Sequence, residues 1–124
     1  MPPKSSAAHR LTGSAQFSLA TRTGRRASSG TLVVHLARPD DADPESGGPS
    51  RDDPARIGFV VSRAVGNAVT RNRVKRRLRE LVREQGESVP DGSLLVVRAL
   101  PKTAGASYAE LRFDFARCLT RVTS

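Results

Sequence analysis

Apolar positions along the chain follow two different spacings. Runs of β-branched and aliphatic residues at 31–37, 56–62 and 93–99 predict buried strands, and a shorter strand at 25–28 is predicted to pair with the first of them across Ser29-Gly30. Helical spacing predicts helices over 10–21, 67–85 and 107–122. The order α-β-β-β-α-β-α predicts a sheet that helices cover on one face.

The last of these helices carries a single apolar stripe. Its members fall at helical intervals and are Tyr108, Leu111, Phe115, Cys118 and Val122. Such a stripe is typical of a helix packed on a core. We therefore expect Cys118 to be a buried apolar residue rather than a nucleophile, and a single cysteine excludes an internal disulfide.

Charge divides the chain into a basic body and an acidic insert. The 124 residues include 21 basic and 12 acidic side chains, a net charge of +9. Residues 38–54 hold six of the acidic residues with four Pro and two Gly, which predicts a flexible loop; the remainder has 19 basic and six acidic residues, a net of +13. We predict a disordered basic N-terminus at 1–9 and a single domain at 10–124. A body this basic indicates a polyanionic partner.

The strongest concentration of cations lies within the second predicted helix. Residues 71–83 contain six Arg and one Lys but only one acidic residue, Glu80. An apolar stripe is formed by Val74, Leu78, Leu81 and Val82. Arg71, Lys75 and Arg79 follow one edge of it, Arg73 and Arg77 flank the other, and Asn72, Arg76 and Arg83 point away from the core. Asn67 is the expected N-cap. Arginine suits bidentate phosphate contact, which favours binding of a phosphate polyanion over a merely solvated basic face.

This segment resembles a known family. The run from Val60-Val61-Ser62-Arg63 through Gly66-Asn67 to Arg71-Asn72-Arg73 is similar to the signature of the protein subunit of bacterial ribonuclease P. The resemblance implies an α+β fold: an α-β-β-β-α-β-α two-layer sandwich whose four-stranded sheet contains a left-handed β-α-β crossover. It also implies a non-catalytic subunit of an endoribonuclease. A catalytic RNA, with Mg²⁺ held mainly by that RNA, removes the 5′ leader of precursor tRNA to give the mature 5′ end.

Two groups of site residues follow from the resemblance. Contact with RNA is assigned to Arg71, Asn72, Arg73, Lys75, Arg76, Arg77 and Arg79. A cleft for the single-stranded leader is assigned to Phe17, His35, Phe59 and Val61, with Arg71, Lys75 and Arg79 at its rim. The family commonly has aromatic residues where this chain has Thr21 and His35, so less stacking surface is expected here. No metal-contacting residue of the protein is identified.

Two alternatives remain at this point. One is a protein ribonuclease that uses His9 and His35 as acid and base. The other is a ribosomal or chaperone-like RNA-binding protein without catalytic function, which the same composition would suit. The sequence has no apolar run long enough to span a membrane and no secretory signal, so we expect a cytoplasmic protein. Its expected partners are the catalytic RNA and precursor tRNA, with no obligatory protein partner.

Overall fold

The sheet forms the centre of the molecule. The computed structural model describes residues 9–10, 24–38, 55–86 and 89–123. Its strands are β1 (His9–Arg10), β2 (Arg25–Ser28), β3 (Leu32–Ala37), β4 (Arg56–Val60) and β5 (Leu94–Ala99). They form a five-stranded sheet in the order β1-β4-β5-β3-β2. β2 pairs with β3, and β3 with β5, in antiparallel fashion, whereas β4 is parallel to both β1 and β5. The four longer strands are the four that the sequence predicts.

Two long helices cover one face of this sheet. They are α1 (Ala68–Gln85) and α2 (Tyr108–Thr123), and a short 3₁₀ helix at Pro101–Ala104 precedes α2. Side chains of both helices share one apolar core with alternate residues of the strands, including Leu32, Val34 and Leu36 of β3. The molecule is thus a two-layer α+β sandwich, as the sequence predicts. α1 joins the parallel neighbours β4 and β5; the left hand of this crossover stays a prediction.

The stripe predicted for the last helix is confirmed as core. Leu111, Phe115, Cys118 and Val122 are buried, and Tyr108 packs against them partly exposed. Burial, and secondarily the nearby charge of Asp114, raises the pKa of the Cys118 thiol. A thiol with a raised pKa is a poor nucleophile, which agrees with a packing role.

Predicted and observed boundaries differ at the N-terminal end. The sequence predicts a helix from Arg10, but the backbone of His9–Arg10 pairs with Arg56 and Ile57 at the sheet edge. Without β1, the backbone N–H and C=O groups on the outer edge of β4 would have no strand partner. Pairing with His9–Arg10 gives them one. The rest of the 10–21 helix, the rest of the 1–9 segment and residues 39–54 of the acidic loop lie outside the described residues.

Candidate nucleic-acid interface

Helix α1 is fixed at its start by local backbone chemistry. The Asn67 side chain accepts a hydrogen bond from the Thr70 N–H at 2.9 Å, which confirms it as the N-cap. Gly66, directly before it, has φ +154°, a conformation that other residues rarely adopt. Val74, Leu78 and Leu81 are fully buried, so the predicted apolar stripe holds the helix on the core. The cap and the stripe together determine which side of α1 faces solvent.

Most of the predicted RNA-contact residues lie on that solvent side. Asn72, Arg73, Arg76 and Arg79 are exposed, whereas Arg71, Lys75 and Arg77 are half-buried at the edges of the apolar stripe. Arg83, in the last turn, pairs with Glu80 at 2.9 Å. The other cations of this helix face no carboxylate at ion-pair distance within the described part of the chain. The helix therefore presents a cationic surface on a rigid support.

Two of these arginines also have a structural role that sequence reasoning missed. Arg73 donates a hydrogen bond to the Ala104 carbonyl at 3.2 Å, and Arg77 donates one to the Ala106 carbonyl at 3.1 Å. Both carbonyls belong to the segment between β5 and α2. The i, i+4 spacing shows that the two side chains share one edge of the helix. The carbonyls that they contact lie about 30 residues further along the chain, so the helical spacing cannot reveal these contacts.

The predicted leader-cleft residues divide between the two faces of the sheet. Phe59 and Val61 pack into the core beneath the helices. His35 lies between Leu36 and Val34, which face that core, so its side chain points to the opposite face. Arg71, Lys75 and Arg79 belong to α1, on the side of Phe59 and Val61. Phe17 lies outside the described residues. Among the residues that the structure describes, His35 is therefore not brought together with the other residues assigned to the cleft.

Two arginines that the sequence analysis did not single out lie beside His35. Arg26 of β2 is its direct cross-strand partner. Arg98 of β5 is two residues from Val96, the partner of His35 on the other side. Both arginines are exposed, and their strand positions place them on the same face as His35. Arg26 lies on the hairpin that the sequence predicts, whereas placing Arg98 required the pairing of β3 with β5, which no short-range pattern in the sequence reveals.

This environment favours the neutral form of His35. Burial, and then the charges of Arg26 and Arg98, lowers its pKa below the ordinary value of 6.5. The side chain is only 8% exposed, and its Nδ1 has no hydrogen-bond partner among the residues that the structure describes. Because so little of His35 is exposed, the exposed polar groups of this surface are mainly the two flanking arginines.

The positions of the two histidines do not support a protein ribonuclease. β1, which contains His9, is separated from β3, which contains His35, by β4 and β5. Three strand spacings correspond to roughly 14 Å between the two backbones. An acid and a base in such a reaction must both reach one phosphodiester at hydrogen-bond distance.

The described residues show neither a cluster of metal ligands nor a membrane-spanning helix. No three His, Cys, Asp or Glu side chains in this part of the chain come together as metal ligands. None of the described helices is long and apolar enough to cross a membrane.

Comparison with known proteins identifies the family. A model of the ribonuclease P family matches residues 6–123. The ribonuclease P protein component of a Nocardioides species is 59% identical over 117 residues, covering 94% of this chain and 93% of that protein. The corresponding protein of Salinispora tropica is 53% identical, covering 87% of this chain and 85% of its own. This chain therefore belongs to the bacterial ribonuclease P protein family.

Solved structures agree with that assignment at the level of the fold. The RNase P protein from Thermotoga maritima superposes with a TM-score of 0.71 at 25% identity, covering 92% of this chain and 97% of that one. The RNase P protein of Staphylococcus aureus gives a TM-score of 0.72 at 21% identity, covering 94% and 98% of the two chains.

Proposed function

We propose that this protein is the non-catalytic subunit of a ribonuclease P ribonucleoprotein. It binds the catalytic RNA and the 5′ leader of precursor tRNA in the cytoplasm, and it assists the Mg²⁺-dependent cut that produces the mature 5′ end. The observation that carries the proposal is α1, a helix held on the core by one apolar stripe while Asn72, Arg76 and Arg79 stay exposed. Membership in the ribonuclease P family supplies the context.

The solvent side of α1 is the surface we assign to the catalytic RNA. Guanidinium groups bind phosphate oxygens in pairs, and a rigid helix presents them at a fixed spacing. Because Arg73 and Arg77 already donate to backbone carbonyls, they have fewer donors left for phosphate than Arg76. Arg76 and Arg79 are therefore the residues from which we expect the largest loss of RNA affinity without loss of structure.

The opposite face of the sheet is the surface we assign to the leader. It combines neutral His35 with Arg26 and Arg98, a set that suits a single-stranded backbone carrying unstacked bases. Because the leader is present only in the precursor, contacts here raise affinity for precursor and not for mature tRNA. Phe17 stays part of this proposal. Phe59 and Val61, which pack into the helix-facing core, act through the shape of the sheet.

The protein's residues assist by binding and not by chemistry. Mg²⁺, which we expect to be held mainly by the RNA, would supply the activated water and stabilise the leaving oxygen. The cations of this chain lower the repulsion between substrate and catalytic RNA. We therefore expect the protein to matter most at low Mg²⁺, where fewer ions screen the phosphates.

One experiment tests both surfaces. Cleavage and binding of precursor tRNA by the reconstituted holoenzyme are measured at low Mg²⁺ for wild type, Arg76→Gln and Arg26→Gln, with leaders of one and of several nucleotides. Arg76→Gln should weaken assembly with the catalytic RNA and reduce the slope of log affinity against log salt by about one unit per lost phosphate contact. Arg26→Gln should weaken binding only of the precursor with the longer leader.

Matched arginines serve as controls. Arg112, on α2, pairs with Glu84 at 3.4 Å, so Arg112→Gln removes one charge outside α1 and should leave the assembly slope unchanged. Arg25 precedes Arg26 on β2 but faces the helix side, so Arg25→Gln should not distinguish leader lengths. His35→Ala should leave the rate of the cleavage step unchanged, because the protein supplies no acid or base. If wild-type protein binds the RNA without any effect on cleavage, the alternative of a ribosomal or chaperone-like protein is correct.

A further inference from the structure

Helix α2 has an outer face that neither proposed RNA surface uses. Leu111, Phe115 and Cys118 define the buried side, and Phe113 projects from the other side. Phe113 is 64% exposed, one of two large apolar side chains that are exposed in the described part of the chain. Since both helices cover one face of the sheet, this outer face and His35 lie on opposite sides of the molecule.

Phe113 stands at one end of a shallow groove. The groove has a volume of about 440 Å³ and is lined by Phe113, Ala116, Arg117, Thr120 and Arg121, which we call the Phe113 groove. Arg117 is one helical turn from Phe113, so its guanidinium and the aromatic ring lie on the same strip of the helix. Ala116 and Thr120 provide a low floor beside them. An aromatic ring, two small side chains and a cation are therefore adjacent on this face of α2.

The Phe113 groove is positively charged because Arg117 and Arg121 line it and no described carboxylate does. Glu110 accepts from the Ser107 hydroxyl at 3.3 Å and Asp114 accepts from the Ser29 hydroxyl at 2.7 Å. Arg117 has neither a hydrogen bond nor an ion pair with the residues that the structure describes. The groove thus suits an anionic ligand with a flat apolar part.

We propose that the Phe113 groove binds an unpaired nucleotide of RNA, with the base stacked on Phe113 and its phosphate beside Arg117. Aromatic rings next to arginine are the usual platform for single-stranded nucleic acid. A second copy of this chain fits less well, because two such faces would bring arginines together on bodies that are already strongly basic. The inference rests on the proposed function only in requiring that the protein works on RNA.

The absence of tryptophan from the chain makes a direct test available. Phe113→Trp in the full chain keeps an aromatic platform and adds a single fluorophore. A single-stranded oligouridine of about ten nucleotides, a length within the range of known single-strand sites, should quench its emission. A duplex of equal length should leave it unchanged. Free N-acetyltryptophanamide in the same mixtures corrects for absorption and collisional quenching.

Two further variants measure the contribution of each group. Phe113→Leu keeps an apolar side chain but removes the ring, and it should weaken oligouridine binding, measured by anisotropy, by about fivefold or more. Arg117→Gln in the Phe113→Trp protein should shift quenching to higher oligouridine concentration and lower its salt slope by about one unit. Lys102→Gln removes an equal charge at an exposed position of the 3₁₀ helix. It should change neither the affinity for oligouridine nor the salt slope of the quenching.

Three outcomes would overturn the proposal. Emission of Phe113→Trp that stays constant when anisotropy shows saturated binding would place the oligonucleotide elsewhere. Equal quenching by duplex would exclude a stacked unpaired base. An emission change that depends on protein concentration alone would identify a second copy as the occupant. None of these results affects the Arg76→Gln and Arg26→Gln measurements, so failure here is distinguishable from failure of the proposed function.

Discussion

Asp114 shows how one side chain connects two distant parts of this chain. Its carboxylate accepts hydrogen bonds from the Ser29 hydroxyl at 2.7 Å, from the Thr31 hydroxyl at 2.5 Å and from the Thr31 N–H at 3.3 Å. These bonds fasten α2 to the turn between β2 and β3. Burial by itself would raise the pKa of Asp114, but the hydrogen bonds from Thr31 and Ser29, together with the nearby charge of Arg117, bring the pKa below its ordinary value.

We expect Asp114→Asn to lower the free energy of unfolding at pH 7 by ~1–3 kcal/mol, because an amide cannot accept all three bonds and loses the charge that strengthens them. The folded-state pKa is below the unfolded one, so this stabilisation is present above about pH 4 and is lost as the pH falls toward the folded pKa. Urea unfolding of both proteins from pH 7 to pH 3 should show their difference shrinking in acid.

A matched substitution isolates the cause of that pH dependence. Asp91 is exposed in the turn before β5, so Asp91→Asn removes the same charge without the three bonds. It should leave the stability near that of wild type over the whole pH range. A constant difference between wild type and Asp114→Asn down to pH 3 would contradict the assignment of the lowered pKa to these hydrogen bonds.

Residue-scale prediction of the site succeeded where it depended on one helix. Asn67, the buried Val74–Leu78–Leu81 stripe and exposed Arg76 all follow from helical spacing, and all are confirmed in their positions. For the sheet, alternation shows that Phe59 and Val61 share a face, but not that His35 is on the other one. That relation depends on how β3, β5 and β4 pair, and hence on contacts between residues far apart in the sequence.

At the scale of elements, the short segment between β4 and α1 decides where the basic helix points. The chain leaves β4 at Val60, turns through residues 63–65, and reaches Gly66 with φ +154° before the Asn67 cap. A side chain at Gly66 would also lie about 3.1 Å from the Thr70 Cβ. This geometry explains why the Gly-Asn pair precedes the Arg-Asn-Arg motif.

We therefore expect Gly66→Ala to destabilise the protein by about 1–3 kcal/mol, the usual cost of a residue held in such a backbone conformation. Gly30→Ala is the matched control, because no atom lies within 4 Å of the added methyl group and its φ is not in the strained range. It should be neutral or slightly stabilising, since alanine restricts the unfolded chain. The unfolding midpoints of both variants are measured by thermal denaturation. Equal midpoints would mean that the turn at Gly66 accepts a side chain without loss of stability.

The sequence predicts which segments are helices and which are strands, but it is less informative about where they end and which strands are neighbours. The strands at 25–28, 31–37, 56–62 and 93–99 and the helices at 67–85 and 107–122 are confirmed within two residues at each end. The strand order was not derivable from periodicity, because β5 lies between β3 and β4 although α1 separates it from both in sequence. The element order predicts a sheet that helices cover on one face, and the family resemblance adds the four-stranded sheet and its left-handed crossover.

At the scale of the whole molecule, the dominant feature is unbalanced positive charge. Outside residues 38–54 the net charge is +13, and several of the remaining acids are used in internal contacts: Asp114 with β2–β3, Glu80 with Arg83 and Glu84 with Arg112. Much of the repulsion is concentrated on α1, where Arg76 and Arg79 are exposed on neighbouring turns. Anything that binds these cations in the folded state and not in the unfolded chain must stabilise the fold.

Sulfate should therefore raise the unfolding midpoint above that in chloride at equal ionic strength, because a divalent anion with several acceptor oxygens can bind between neighbouring arginines. At a free sulfate concentration of about a hundred times its dissociation constant, binding at one site stabilises the folded state by ~2.7 kcal/mol. For a domain of this size, that raises the unfolding midpoint by several degrees. Sulfate also stabilises proteins generally by exclusion from their surface, but that effect rises steadily with concentration. Specific binding should instead saturate at millimolar sulfate and shrink in the Arg76→Gln/Arg79→Gln double variant. Equal midpoints in the two salts, or a shift that the double variant retains in full, would show that the cations of α1 do not bind the anion.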